Sequence, residues 1–161
     1  MAEIYRPEVG IEGVIIRPLE RHRDERGWLV ELFRSDWPEG RHRPVMGYIS
    51  LTEPGAGRGP HEHREQTDYF CFIGPSRFRV YFWDNRPGSP TSGQSARIET
   101  DEDSPLAVIV PPGVVHAYKN IGATAGYVFN APDKLYRGPG RGSAADEIRY
   151  EEGGEGRFVL D

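Results

Sequence analysis

Apolar and polar positions along this chain alternate over short distances, and no stretch settles into a convincing helical period. Residues 13–17 (GVIIR), 27–34 (GWLVELFR) and 45–51 (VMGYISL) are short β-rich runs bounded by glycine, proline or charge. Residues 69–73 (YFCFI) and 77–83 (RFRVYFW) flank Gly74-Pro75-Ser76, a connection of hairpin length. Residues 96–99, 106–110, 114–119 and 126–130 bring the set to about nine or ten strands. Within 77–83 the two-residue period puts Arg77, Arg79, Tyr81 and Trp83 on one face and Phe78, Val80 and Phe82 on the other, so one face is apolar. The pattern predicts an all-β sandwich or barrel, with at most a short helix at 144–148.

The 20 glycines and 14 prolines, about a fifth of 161 residues, fit many short strands joined by turns and speak against a helix bundle. The length suits one domain over 1–161, ending in a polar, Gly-rich tail at 137–161 that reads as a lid or a mobile end. A formal charge of −5 without a dense Lys/Arg run excludes a basic nucleic-acid footprint, so no nucleic-acid partner is expected. Eighteen of the 20 cations are Arg, whose fork suits carboxylate and phosphate. The single cysteine, Cys71, precludes an intramolecular disulfide and reads as a small buried hydrophobe. No apolar signal region opens the sequence, and its longest aliphatic run, 106–110, is too short to span a bilayer; a soluble, cytoplasmic protein without a membrane partner is the expectation.

The candidate chemistry lies in two places: His61 and His63 in Arg58-Gly-Pro-His-Glu-His, and His116 a few residues after Pro111-Pro112-Gly113. Residues i and i+2 of a strand share a face, so His61 and His63 can enter one cavity. Strand parity sets Asp68 on the wrong face to join them unless a turn intervenes, and Gln66 or Glu65 offers a substitute. His22 and His42 sit among Arg and Pro and read as solvated loop residues.

The spacing Gly55-x5-His61-x-His63-x4-Asp68, followed by Pro111-x-Gly113-x2-His116-x3-Asn120, resembles the two signature motifs of the cupin superfamily. That resemblance implies a double-stranded β-helix, a jelly-roll barrel with the histidines inside. Five further motifs, 11–18 (IEGVIIRP), 24–31 (DERGWLVE), 58–61 (RGPH), 84–91 (DNRPGSPT) and 111–116 (PPGVVH), resemble in order the dTDP-4-dehydrorhamnose 3,5-epimerase family. The likeness implies a metal-free isomerase that abstracts protons beside the 4-keto group of a dTDP-4-keto-6-deoxyhexose, with no cofactor. It also implies a homodimer in which the N-terminal strands, within 1–35, reach the neighbouring subunit.

Carried over by position, His61 stands for the catalytic base, and Arg26 and Arg58 for arginines at the nucleotide diphosphate. Glu31 matches the acidic residue ending the first motif, His116 the histidine after Pro-Pro-Gly, and Met46 and Tyr48 roughly the family's substrate-binding Gln and Asn. Two positions depart from the pattern. The family's Lys, eight to ten residues after the base, falls at Tyr69-Phe70-Cys71, and its Tyr acid falls on or near Phe129, with Tyr127 the nearest phenol. Arg-Gly-x-His-x-His is also similar to the sugar 3,4-ketoisomerases, in which two histidines shuttle protons; this gives His63 a catalytic role. Single epimerisation and ketoisomerisation both stay open. So do a catalytically silent sugar-binding protein and the alternative of a metal-dependent cupin holding one divalent ion on His61, His63, Asp68 and His116.

Overall fold

A computed structural model describes residues 9–37, 42–151 and 156–161. The chain forms β1 (Ile15–Pro18), β2 (Arg21–Asp24), β3 (Gly27–Val30), β4 (Tyr48–Thr52), β5 (Gly57–Glu62), β6 (Asp68–Phe72), β7 (Phe78–Asp84), β8 (Ser95–Thr100), β9 (Leu106–Val110), β10 (Val114–Asn120), β11 (Gly126–Asn130) and β12 (Ile148–Arg149). Two five-stranded antiparallel sheets, ordered β1-β9-β6-β11-β4 and β12-β5-β10-β7-β8, make up the body, and β2 and β3 form a separate hairpin. This is the expected all-β, cupin-like jelly roll, built as two sheets rather than one closed ladder. Among the described residues no helix is long and apolar enough to cross a membrane.

The alternation read in 77–83 reappears in the packing. Phe78, Val80 and Phe82 meet Phe70, Phe72, Val108, Val110 and Val128 between the sheets. Each such side chain, withdrawn from water, contributes roughly 1.5–3 kcal/mol. The first sheet is covered on its outer face as well, where Tyr69, Cys71, Ala107 and Ile109 pack against Leu19, Val30, Leu32, Phe33 and Trp37. Cys71 is fully buried, and that burial pushes its thiol pKa up, out of nucleophile range.

The structure corrects several local expectations. Gly74-Pro75-Ser76 does not close a hairpin: β6 pairs with β9 and β11, and β7 with β10 and β8, so the connection crosses from one sheet to the other. Its length suits either route; the covering of both faces of β6, every residue of which is buried, goes with a central place in its sheet. The strand expected over 27–34 stops at Val30, and its partner β2 (RHRD) escaped notice because it has no apolar face. β5 (GRGPHE) was equally illegible as a strand. The short helix that the sequence allowed at 144–148 does not form; that segment runs into β12, a two-residue strand paired with β5.

Candidate active site

β5 and β10 lie side by side with His61 opposite His116, their ring centroids 4.5 Å apart. Gly59 makes this approach possible. It adopts φ +84°, and a Cβ there would stand 2.6 Å from the His116 carbonyl oxygen and 3.1 Å from His61 Nδ1. His63 follows on the same side, 5.6 Å from His61 and 5.8 Å from His116 between centroids. Asp68 reaches them from the facing sheet. Its Oδ2 lies 2.9 Å from His63 Nε2 and 3.0 Å from His116 Nε2, and its Oδ1 accepts hydrogen bonds from Gln66 Nε2 and Asn130 Nδ2, each at 2.9 Å. The parity objection to Asp68 therefore falls: the chain bends at Arg64 and Glu65 and enters the other sheet, which resets which way its side chains point.

Burial and charge drive the two histidines of β5 and its end apart. Burial, reinforced by His116, pushes His61 well below its ordinary value of 6.5, so near neutral pH it is an uncharged imidazole with a lone pair. Burial also opposes charge on His63, but the hydrogen bond to Asp68 and that carboxylate's charge outweigh it and raise His63 to about 9. Asp68 is held well below 3.8 because hydrogen bonds from His116 and His63 overcome the cost of its burial. A neutral base therefore stands beside a charged imidazolium, the separation that acid–base chemistry uses.

His61, His63 and Asp68 floor a cavity of about 550 Å³ lined also by Met46, Tyr48, Glu65, Gln66 and residues of the segment 132–149. Tyr48 projects its hydroxyl inward, where it accepts a hydrogen bond from Asn130 Nδ2 at 3.0 Å. A second hollow of about 340 Å³ adjoins through Tyr48, His61, Glu147 and Arg149, and it contains Arg58. The Arg58 guanidinium donates to Leu51 O at 2.8 Å and Thr52 Oγ1 at 3.2 Å.

Three sequence candidates lie elsewhere in this chain. Arg26 sits at the tip of the β2–β3 hairpin, its side chain 85% exposed and paired with Asp24. Glu31 pairs with Arg34 just beyond that hairpin. Tyr127 is exposed on the outer face of β11, and Phe129, on the same face, packs against the outer cluster, so neither lines the histidine cavity. His42, expected in solvent, is buried and stacks on Tyr69.

The segment 132–149, most of it in the tail read as a lid or a mobile end, carried no site residue in the sequence reading. It forms a wall of the cavity and brings Lys134, Arg137, Arg141 and Glu147 to it. Asp146 anchors it: its carboxylate accepts the backbone N–H of Arg64, Glu65 and Gln66, each at 2.9 Å, and its carbonyl meets His63 Nδ1. A Gly-rich polar stretch has no periodicity from which such docking can be read. The only signal was the density of Arg within RGPGRG.

A family model described as dTDP-4-dehydrorhamnose 3,5-epimerase matches residues 8–145. Agl13 of Haloferax volcanii, named as a probable low-salt glycan biosynthesis epimerase, is 39% identical over 128 residues, covering 78% of this chain and 81% of its own. The spore coat polysaccharide biosynthesis protein SpsL of Bacillus subtilis is 32% identical over 114 residues, covering 71% and 74% of the two chains. A crystal structure of a dTDP sugar isomerase from Desulfovibrio desulfuricans shares the fold, with a TM-score of 0.79 at 24% identity, over 89% of this chain and 87% of that one. With the model match spanning most of the sequence, the chain belongs to the dTDP-4-dehydrorhamnose 3,5-epimerase family.

Proposed function

We propose that this protein is a cytoplasmic isomerase of a dTDP-4-keto-6-deoxyhexose, with His61 as the base that removes a proton from a carbon beside the ketone. The observation that carries the reading is the placement of His61, with its ring centroid 5.6 Å from that of the Asp68-bound His63, on the floor of a cavity of about 550 Å³; burial, which keeps His61 uncharged, supports it. Loss of the proton from carbon 3 or 5 leaves an enolate, and return of a proton to the opposite face inverts that carbon. Tyr48 takes the acid's role: its hydroxyl lines the cavity, and burial raises its pKa to about 12, keeping the proton in place until an enolate demands it. Incubation with the 4-keto sugar nucleotide should give an epimer or a 3-keto isomer by NMR; an unchanged substrate argues against the assignment.

The reading includes a homodimer. Trp28 and Leu29 on the β2–β3 hairpin and Ile49 and Leu51 on the edge strand β4 are large exposed apolar groups. Pairing them between two copies gives Arg26, at the hairpin tip, a route to the partner's cavity. Mixing inactive Arg26→Ala and His61→Asn dimers then restores part of the activity, while two independent sites in separate monomers give none.

A second reading, a metal-dependent cupin, is favoured by two observations. Ligand atoms of His61, His63, Asp68 and His116 all lie within 4.8 Å of one another. In addition, His116 has acceptors at both ring nitrogens, Val114 O at Nδ1 and Asp68 Oδ2 at Nε2, each 3.0 Å away. An uncharged ring satisfies one of them; a proton on each nitrogen, or a divalent ion at the Nε2 corner, satisfies both. These residues fit such an ion, which would supply Lewis-acid polarisation of a carbonyl. Elemental analysis of protein never exposed to chelator separates the two: a stoichiometric metal favours the second reading, and its absence the first.

A further inference from the structure

Asn130 ends β11, opposite Tyr48 of β4 and Phe70 of β6, and only 1% of its surface is exposed. Its side chain uses everything an amide offers. Oδ1 accepts the Tyr69 backbone N–H at 3.0 Å, and the two hydrogens of Nδ2 go to Asp68 Oδ1 at 2.9 Å and to the Tyr48 hydroxyl oxygen at 3.0 Å. Two of these neighbours never exchange roles: a backbone N–H only donates, and an ionised carboxylate only accepts. A turned amide would set its oxygen against the Asp68 carboxylate and its hydrogens against the Tyr69 N–H, so the side chain has one orientation.

That orientation decides what Tyr48 can do. With Asn130 always the donor, the Tyr48 oxygen is held as an acceptor, and its own proton has to leave in another direction. Among the described residues no protein group accepts that proton. Tyr48 lines both the cavity floored by His61 and His63 and the hollow that contains Arg58, so the free hydrogen faces the space a substrate would fill. Tyr118, the other phenol at the second hollow, is spent differently: it is hydrogen-bonded to Ser50 Oγ at 3.0 Å.

We infer that Asn130 is a positioning residue for proton return: it aims the Tyr48 hydroxyl proton into the cavity and takes up the charge left behind when that proton goes. This rests on the reading of Tyr48 as the acid. When the enolate carbon takes the proton, the enolate's electron pair forms the new C–H bond and the O–H pair stays on the Tyr48 oxygen. The Asn130 N–H already points at that oxygen, so the developing charge meets a donor that does not have to move. The proton removed earlier stays on His61, and exchange with solvent on product release restores both groups. Because the same amide donates to Asp68, the acid and the His63–Asp68 pair hang on one side chain.

Inversion and deuterium wash-in, followed together by NMR on the 4-keto sugar nucleotide in heavy water, test the role. Asn130→Ala should lower the ratio of inversion to wash-in by about ten-fold, the worth of one hydrogen bond to a charged oxygen. In a Tyr48→Phe background the same change should leave that ratio where Tyr48→Phe alone puts it. An equal fall of inversion and wash-in, or the same further loss of the ratio in both backgrounds, overturns the inference, because Asn130 would then act on the fold or on Asp68 alone. Asn130→Thr, which keeps an acceptor for the Tyr69 N–H, takes the place of Asn130→Ala if that variant does not fold. A measurement free of turnover separates this role from the isomerase reading: with difluorotyrosine placed at position 48, loss of the Asn130 amide should make that phenol about ten-fold less acidic. Unchanged acidity overturns the positioning role. The expected loss of acidity in a protein that turns over no 4-keto sugar would sink the isomerase reading and leave the hold of Asn130 on Tyr48 standing.

Discussion

Two buried aspartates, one in each sheet, show how differently this fold uses the same group. Asp84, ending β7, accepts hydrogen bonds from Arg86 Nε at 2.8 Å and Nη2 at 2.9 Å, and from Ser89 Oγ and Thr91 Oγ1, both at 2.6 Å. The Arg86 backbone N–H donates as well, at 3.1 Å, and none of these donors ionises near neutral pH. Asp68, opening β6, is paired instead with the imidazolium of His63, whose proton can move, and His116 Nε2 lies 3.0 Å from the same carboxylate oxygen. The first arrangement locks a turn. The second stores a proton beside a cavity.

Changing Asp68 has the larger expected consequence. Asp68→Asn removes the charge that holds His63 protonated, and turnover should fall by about 10²–10³-fold, measured as kcat on a 4-keto sugar nucleotide. Tyr48→Phe should cost roughly 10²-fold in inversion while solvent exchange of the substrate proton persists, since base and acid are then uncoupled. Arg86→Met, in contrast, leaves Asp84 buried without its cation and should cost about 3 kcal/mol of unfolding free energy, with kcat per folded molecule unchanged. Loss of activity without loss of stability in Arg86→Met would erase the distinction between the two aspartates.

The pH dependence of stability separates them further. Asp84 is held far below its unfolded value, chiefly by the Arg86 hydrogen bond against the cost of burial, so its contribution is present above about pH 4 and drains away only in stronger acid. His63 is raised to about 9, so its contribution is complete below about pH 6.5 and is lost as pH climbs toward 9. Chelator-treated wild-type protein should therefore lose stability on the alkaline side, and His63→Asn should show a flatter curve there. The smallest effect belongs to Tyr127→Phe, which removes an exposed hydroxyl on an outer face and should leave exchange within about two-fold and stability within about 0.5 kcal/mol.

What could be read from the sequence follows from how each part is encoded. The two-residue alternation of Phe78, Val80 and Phe82 wrote one inner face plainly, and the i, i+2 spacing brought His61 and His63 together. The motif spacing named Asp68 as a partner of the histidines, but strand parity spoke against it, because a bend and a change of sheet reset which way its side chain points. The crossing at Gly74-Pro75-Ser76 was hidden because loop length alone does not choose a sheet. The Arg137 and Arg141 wall was hidden because its docking depends on single polar anchors, Asp133 and Asp146, rather than on a repeating pattern.

The most direct test of the account is deuterium wash-in from heavy water into a dTDP-4-keto-6-deoxyhexose, followed by NMR with wild type and His61→Asn side by side. The wild type should incorporate deuterium at carbon 3, carbon 5 or both, and His61→Asn, while still folded, should incorporate none. Incorporation by His61→Asn at the wild-type rate, or none by the wild type, would contradict His61 as the base.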